Sequence, residues 1–252
     1  MPIEGILVDL SGVLYVGDDV LPGAREALLR LRRMNKPFRF VTNTSRKCRA
    51  EVVSRLHRMG LAVEPHEVLT APLAGRHWIE KRGLRPHLLV HPDLLPDFVG
   101  IETSPANAVF MGDAGETFSY DNLNAAFRVL QTGTPLIAVA RNRYFQEPDG
   151  LSLDLGAFVA ALEFATRTKA VIVGKPSAEF YTAAVESMAL SPGEVLMVGD
   201  DLEADVLGAL DAGLQAALVR TGKYRETDEL SLQGSAAIVA DNFHNLLIQI
   251  SN

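Results

Sequence analysis

The chain has 252 residues, 48% of them hydrophobic, with 24 Lys and Arg against 31 Asp and Glu and a single cysteine, Cys48. That length and apolar content suit one large α/β domain or two smaller ones. The formal charge of −7 argues against a general nucleic-acid binder, and a lone cysteine excludes an intramolecular disulfide. No apolar stretch is long enough to span a bilayer and the N-terminus lacks a secretory pattern, so a cytoplasmic globular protein without a membrane partner is expected.

In chain order, GILVDL reads as a buried strand that stops at Asp9 and passes through Ser11 into Gly12. Pro22-Gly23 opens an amphipathic helix with Ala27, Leu28 and Leu31 at helical spacing. FRFVT (38–42) is the second strand, and a helix is expected over roughly 46–59, ending at Gly60 because glycine tolerates a left-handed backbone. Further strands are read at HLLVH (87–91), NAVFM (107–111), PLIAV (135–139), AVIVG (170–174), EVLMVG (194–199) and LQAALV (214–219). DGLSLDLGAF (149–158) reads as a loop entering a helix. Alternation of strand and helix predicts a mostly parallel sheet covered on both faces.

In open parallel sheets ligands collect beyond the carboxyl ends of the strands. Four polar stretches follow apolar runs: DLSG, TNTS (42–45), GKP (174–176) and GDDLEAD (199–205). Singly, each has an ordinary reading. Asp9 would cap a turn, Thr42 to Ser45 would cap a helix, Lys175 would be a surface lysine, and Asp200, Asp201 and Asp205 would decorate a helix start. Converging on one sheet edge, they match one chemistry. A carboxylate attacks phosphorus, a second carboxylate shares a hard Mg²⁺ with it, a lysine neutralises phosphate charge, and Thr42 and its neighbours donate hydrogen bonds to phosphoryl oxygens.

These four motifs, in this order, resemble the signature motifs of the haloacid dehalogenase superfamily of aspartate-nucleophile phosphatases. The spacing between the second and third is similar to that of the subclass with a large α/β cap inserted there, and DLSGVLY and GAFVAALEFATRTKAVIVGKP carry a narrower likeness within it. The resemblance implies a Rossmann-like catalytic core from residues 1–72 and 168–252 and an α/β (C2-type) cap at 73–167. It implies Asp9 as nucleophile and Mg²⁺ ligand, the Ser11 carbonyl and Asp200 as further ligands, and Asp205 orienting a metal-bound water or Lys175. Ser11, Thr42, Asn43, Thr44 and Lys175 would lie along the phosphate of a small phosphorylated substrate. The resemblance leaves a homodimer through the cap open.

Residues 1–60 carry +5 and the remainder −12. Most of those arginines fit solvent faces of two helices, while Arg46 and Lys47, next to the phosphate cluster, fit either attraction of anionic substrates or plain surface charge. His66, His77, His87 and His91 show no metal-ligand spacing. Where the resembled phosphatases usually carry a second aspartate two residues after the nucleophile, this chain has Ser11. A hydroxyl is a poor proton donor, so substrates with stable leaving groups are expected: aryl phosphates, phosphoramidates or pyrophosphate before alkyl esters. A protein that binds a phosphate ligand with little turnover is the alternative of a different class. The natural substrate stays open.

Overall fold

A computed structural model describes residues 2–147 and 149–251. Its strands are β1 (Gly5–Asp9), β2 (Tyr15–Val16), β3 (Asp19–Val20), β4 (Phe38–Thr42), β5 (Val68–Thr70), β6 (Pro86–Leu89), β7 (Ala108–Met111), β8 (Leu136–Ala138), β9 (Tyr144–Glu147), β10 (Gly150–Leu153), β11 (Val171–Ile172), β12 (Val195–Gly199), β13 (Gln215–Val219) and β14 (Ile238–Ala240). The described chain divides into two compact units. The first holds the residues up to Thr42, Arg49–Leu69 and those from Lys175 onward; the second holds Asn43–Cys48 and Thr70–Gly174. The sequence placed the corresponding boundaries at 72/73 and 167/168.

The sheet of the first unit runs β14-β13-β12-β1-β4-β5, with β14 through β4 all parallel. Every residue of β1 and of β12 is buried, as strands covered on both faces require. Ile6, Val8, Leu196, Val198, Ala217 and Val219 share one cluster with Ala27 and Leu31 of the helix Ala24–Arg33, Leu56 of the helix Arg49–Arg58 and Leu246 of the helix Phe243–Gln249. The alternate residues Leu7, Met197 and Leu218 are as fully buried on the other face. In the helix Ala24–Arg33 the buried positions are Ala24, Ala27, Leu28 and Leu31, so its arginines are left on the outer side.

Arg32 ties that helix to the turn before β5. Its guanidinium donates to Glu67 Oε1 at 2.6 Å and Oε2 at 2.9 Å, and the Glu64 N–H donates to Oε2 at 2.8 Å. Burial pushes the Glu67 carboxyl up, but those donors outweigh it and hold the group below its ordinary value of 4.5. Glu67→Gln is expected to cost about 1–3 kcal/mol at neutral pH by urea unfolding. A depressed carboxyl contributes stability that is fully present above its unfolded value and lost as pH falls through its folded one. The gap between the two proteins is therefore constant near neutrality and closes below about pH 4.

The second unit has a four-stranded parallel sheet, β11-β8-β7-β6, with helices at Ala71–Lys81, Tyr120–Leu130 and Leu155–Thr166. An antiparallel hairpin joins β9 to β10.

Four sequence expectations are corrected. The helix expected from 46 begins at Arg49, because Arg46 and Lys47 are engaged by Asp113 and Asp93 in a non-helical segment of the second unit; it ends before Gly60, whose φ is +73°. The strand before GKP pairs with β8 in the second sheet and not with the sheet that carries Asp9. Residues 150–153 are a strand rather than a loop, since pairing with Tyr144–Glu147 satisfies their backbone groups. The short strands β2, β3, β5, β9 and β14 were not anticipated. No helix among the described residues is long and apolar enough to cross a membrane.

Candidate active site

Asp9 ends β1, and its neighbour across the ladder is Val41 of β4. Thr42, one residue further, is buried. On the other side Val8 pairs with Val198 of β12, and Gly199 ends that strand just before Asp200. Three adjacent parallel strands thus deliver Asp9, Thr42 and Asp200 to one carboxyl edge.

Asp205 joins them from the turn of helix at Leu202–Leu207. Its carboxyl sits so close to the β12 end that a Cβ on Gly199 would fall 2.2 Å from Asp205 Cβ, so only glycine fits there. Lys175 Nζ donates to Asp9 Oδ1 at 2.7 Å and to Asp205 Oδ1 at 2.6 Å. The buried Tyr181 hydroxyl donates to the Ala204 carbonyl at 2.6 Å and fixes the same turn. Asp9, Asp200 and Asp205 are all buried, and each offers an oxygen within 4.8 Å of the others'.

Three buried carboxylates, two of them paired with the Lys175 ammonium, define the electrostatics. Burial pushes the Asp9 and Asp200 carboxyls up and Asp205 up to about 7. Burial alone would lower Lys175, but the Asp205 and Asp9 carboxylates outweigh it and raise the ammonium, which is held protonated. The cluster keeps excess negative charge in a desolvated place, and only oxygen donors are present. That donor set suits a hard divalent cation, and one placed there offsets the cost of burying the three acids in their charged form.

Asp200 is seated in a cradle that the sequence reading missed. A Cβ on Gly12 would lie 1.9 Å from Asp200 Oδ2, and one on Gly222 would lie 2.0 Å from it; both glycines have positive φ. The Lys223 N–H donates to Asp200 Oδ2 at 2.7 Å, and the Thr221 hydroxyl donates to the Gly12 carbonyl. Thr221-Gly222-Lys223 follows β13, the neighbour of β12, so the strand-end rule that picked out the four motifs also reaches this fifth stretch.

Asp201 takes a helix-start role: its Oδ1 accepts the Glu203 and Ala204 N–H groups at 3.1 and 2.9 Å, and its Oδ2 accepts from Lys223 Nζ. Ser11 is exposed. Asn43 and Thr44 are half-buried in the segment that belongs to the second unit, so the structure brings together Asp9, Thr42, Lys175, Asp200 and Asp205 within the first.

A parallel sheet whose carboxyl edge gathers three acids, two of them paired with a buried lysine, is the framework of an α/β protein whose ligand site lies at the strand ends. Residues 6–95 match the family model described as haloacid dehalogenase-like hydrolase, and residues 172–246 match one described as HAD-hydrolase-like. Human haloacid dehalogenase-like hydrolase domain-containing protein 2 is 45% identical over 96% of this chain and 93% of its own. The phospholysine phosphohistidine inorganic pyrophosphate phosphatase of Xenopus laevis is 44% identical over 97% and 92%. Among solved structures, 4-nitrophenylphosphatase from Thermotoga maritima is 29% identical with a TM-score of 0.84, covering 98% of this chain and 97% of that one. The chain belongs to the haloacid dehalogenase-like hydrolases.

Proposed function

We propose that the protein is a Mg²⁺-dependent phosphatase that works through an aspartyl-phosphate on Asp9. The observation that carries this reading is the Lys175 ammonium bridging Asp9 and Asp205 at 2.7 and 2.6 Å, with Asp200 beside them. An Asp9 oxygen attacks phosphorus, the bond from phosphorus to the leaving group breaks with its electron pair going to that group, and water then hydrolyses the acyl phosphate. Lys175 neutralises phosphoryl charge and keeps the attacking carboxylate ionised and oriented. Asp205 holds Lys175 in place, and Ser11, Thr42, Asn43 and Thr44 would donate to phosphoryl oxygens. Asp9, Asp200 and the Ser11 carbonyl would hold Mg²⁺, which when bound neutralises carboxylate and phosphoryl charge.

In this scheme the first unit is the catalytic core and the second is the cap that selects the substrate, a small phosphorylated molecule rather than nucleic acid or membrane, in the cytoplasm. Pairing of two copies through the cap is checked by the mass in solution. With serine at position 11, the favoured substrates are aryl phosphates, phosphoramidates and pyrophosphate, which accords with the names of the frog relative and of the Thermotoga protein. A panel of these three and several alkyl phosphates, with and without Mg²⁺, tests the scheme. Metal-dependent release of phosphate from at least one of the three is expected. No release from any of them, while inorganic phosphate still binds, makes the protein a phosphate-binding module instead.

Ser11→Asp is expected to supply the missing acid. Alkyl esters, whose alkoxide most needs a proton, should gain about tenfold or more in kcat/KM, while aryl esters change little. An equal change in both classes would transfer the effect to metal or phosphate binding and remove the proton-donor account of this position.

A further inference from the structure

The second unit contains a cavity of about 640 Å³, in the range of small-molecule sites. The hairpin forms one wall. Along β9 and β10 exposure alternates, so Phe145, Glu147 and Ser152 are half-buried while Tyr144 and Leu151 are exposed. Phe145 lies opposite Ser152 across the ladder, and the Ser152 hydroxyl donates to the Glu147 carboxylate. Another wall is the pair Phe118 and Phe158, stacked with centroids 3.9 Å apart and planes at 12°.

The charge on this lining is unbalanced. Arg46 is its one guanidinium, and it is already engaged: Nε donates to Asp113 Oδ2 at 2.6 Å, and Cζ lies 5.0 Å from the Phe145 centroid. Asp113 also accepts the Gly115 N–H at 3.1 Å. Arg46 is therefore paired with Asp113, His91 accepts the Asp93 N–H on Nδ1 at 3.2 Å, and no lysine or second arginine stands among the lining residues to answer the carboxylates of Glu116 and Glu147. Three phenylalanine rings offer flat apolar faces whose quadrupole attracts positive charge, and two further carboxylates add to that field. An anionic ring entering here would meet like charge; a cationic one would meet opposite charge at stacking distance.

We propose that this cavity binds an aromatic amine, a flat ring bearing a protonated nitrogen, and discriminates against rings of the same shape that carry a carboxylate. Use of the cavity to select a substrate's leaving group rests on the phosphatase reading; binding of the ring does not.

The test uses the full-length chain without phosphate and three probes of one ring: tyramine, p-cresol and 4-hydroxyphenylacetate, titrated by calorimetry or by NMR shifts. Tyramine is expected to bind at least about tenfold more tightly than 4-hydroxyphenylacetate, with p-cresol between them. Glu147→Gln, which retains an oxygen for Ser152, should shrink that preference several-fold and leave p-cresol unchanged. Phe158→Ala should weaken all three. Binding of the anion as tightly as the amine, no binding of any probe, or a preference untouched by Glu147→Gln would overturn the proposal. Release of phosphate from 4-nitrophenyl phosphate is measured in parallel. Turnover without amine preference defeats this inference alone, whereas amine preference without turnover defeats the phosphatase reading and leaves the ring site standing.

Discussion

Asp9→Asn is expected to lower the hydrolysis of an aryl phosphate to background, a loss of at least about a thousandfold in kcat, while the fold survives. The amide has the shape of the carboxylate and keeps an oxygen toward Lys175 Nζ, which lies 2.7 Å from Asp9 Oδ1 in the native site. It lacks the negative charge that attacks phosphorus. Its effect on stability separates chemistry from folding. Burial pushes the Asp9 carboxyl up, so its charged form is disfavoured in the folded protein, and a neutral isostere should leave the melting temperature in EDTA unchanged or raised. Mg²⁺ binding stabilises a folded protein by about 2.7 kcal/mol at a hundred times its Kd, and this added stability should shrink in the variant because one of the two carboxylates proposed to hold the ion is gone. Circular dichroism melts and single-turnover assays read both effects. Substantial turnover in Asp9→Asn would end the covalent mechanism; a collapsed melt would mean that Asp9 is chiefly structural.

The legible parts of this site are those that one strand announces by itself. β1, β4, β12 and β13 are five-residue strands made mostly of apolar residues, as strands covered on both faces of a parallel sheet tend to be, so their ends could be located and the polar residues at and after them noticed. β5 and β14 have three residues each; pairing partners far along the chain define them, and three residues carry no periodicity. The hairpin was misread for a similar reason. Leu151 and Leu153 are exposed, so its apolar residues do not mark a core face, and only its partner strand makes Gly150–Leu153 extended. Lys175 was found by its place after an apolar run, yet that run belongs to the other sheet; extension is local, whereas choice of sheet is not. The cradle of Gly12 and Gly222 around Asp200 lies further still from sequence, since a close approach between loops 210 residues apart leaves no trace in either loop beyond a glycine.

Lys175→Met is expected to be the most destabilising single change in the first unit's site. The ammonium is 4% exposed and donates to Asp9 Oδ1 at 2.7 Å and Asp205 Oδ1 at 2.6 Å. Methionine fills similar space, so the loss is electrostatic: breaking a buried pair by removing one partner costs about 3–5 kcal/mol because it leaves uncompensated charge. The sign of the pH dependence identifies that cause. Burial raises Asp205 to about 7 even with Lys175 present, and without the lysine both Asp205 and Asp9 move further up. A carboxyl whose folded value exceeds its unfolded one binds more protons folded than unfolded between the two, so stability rises as pH falls through that window. The deficit of Lys175→Met in EDTA should therefore be largest near about pH 8 and narrow toward about pH 5, as protons take over the charge that the ammonium neutralised. Urea unfolding of both proteins at the two pH values measures it. A deficit of equal size at both would assign the contribution of Lys175 to packing, and the bridge between Asp9 and Asp205 would then lose its electrostatic role in holding the nucleophile ionised.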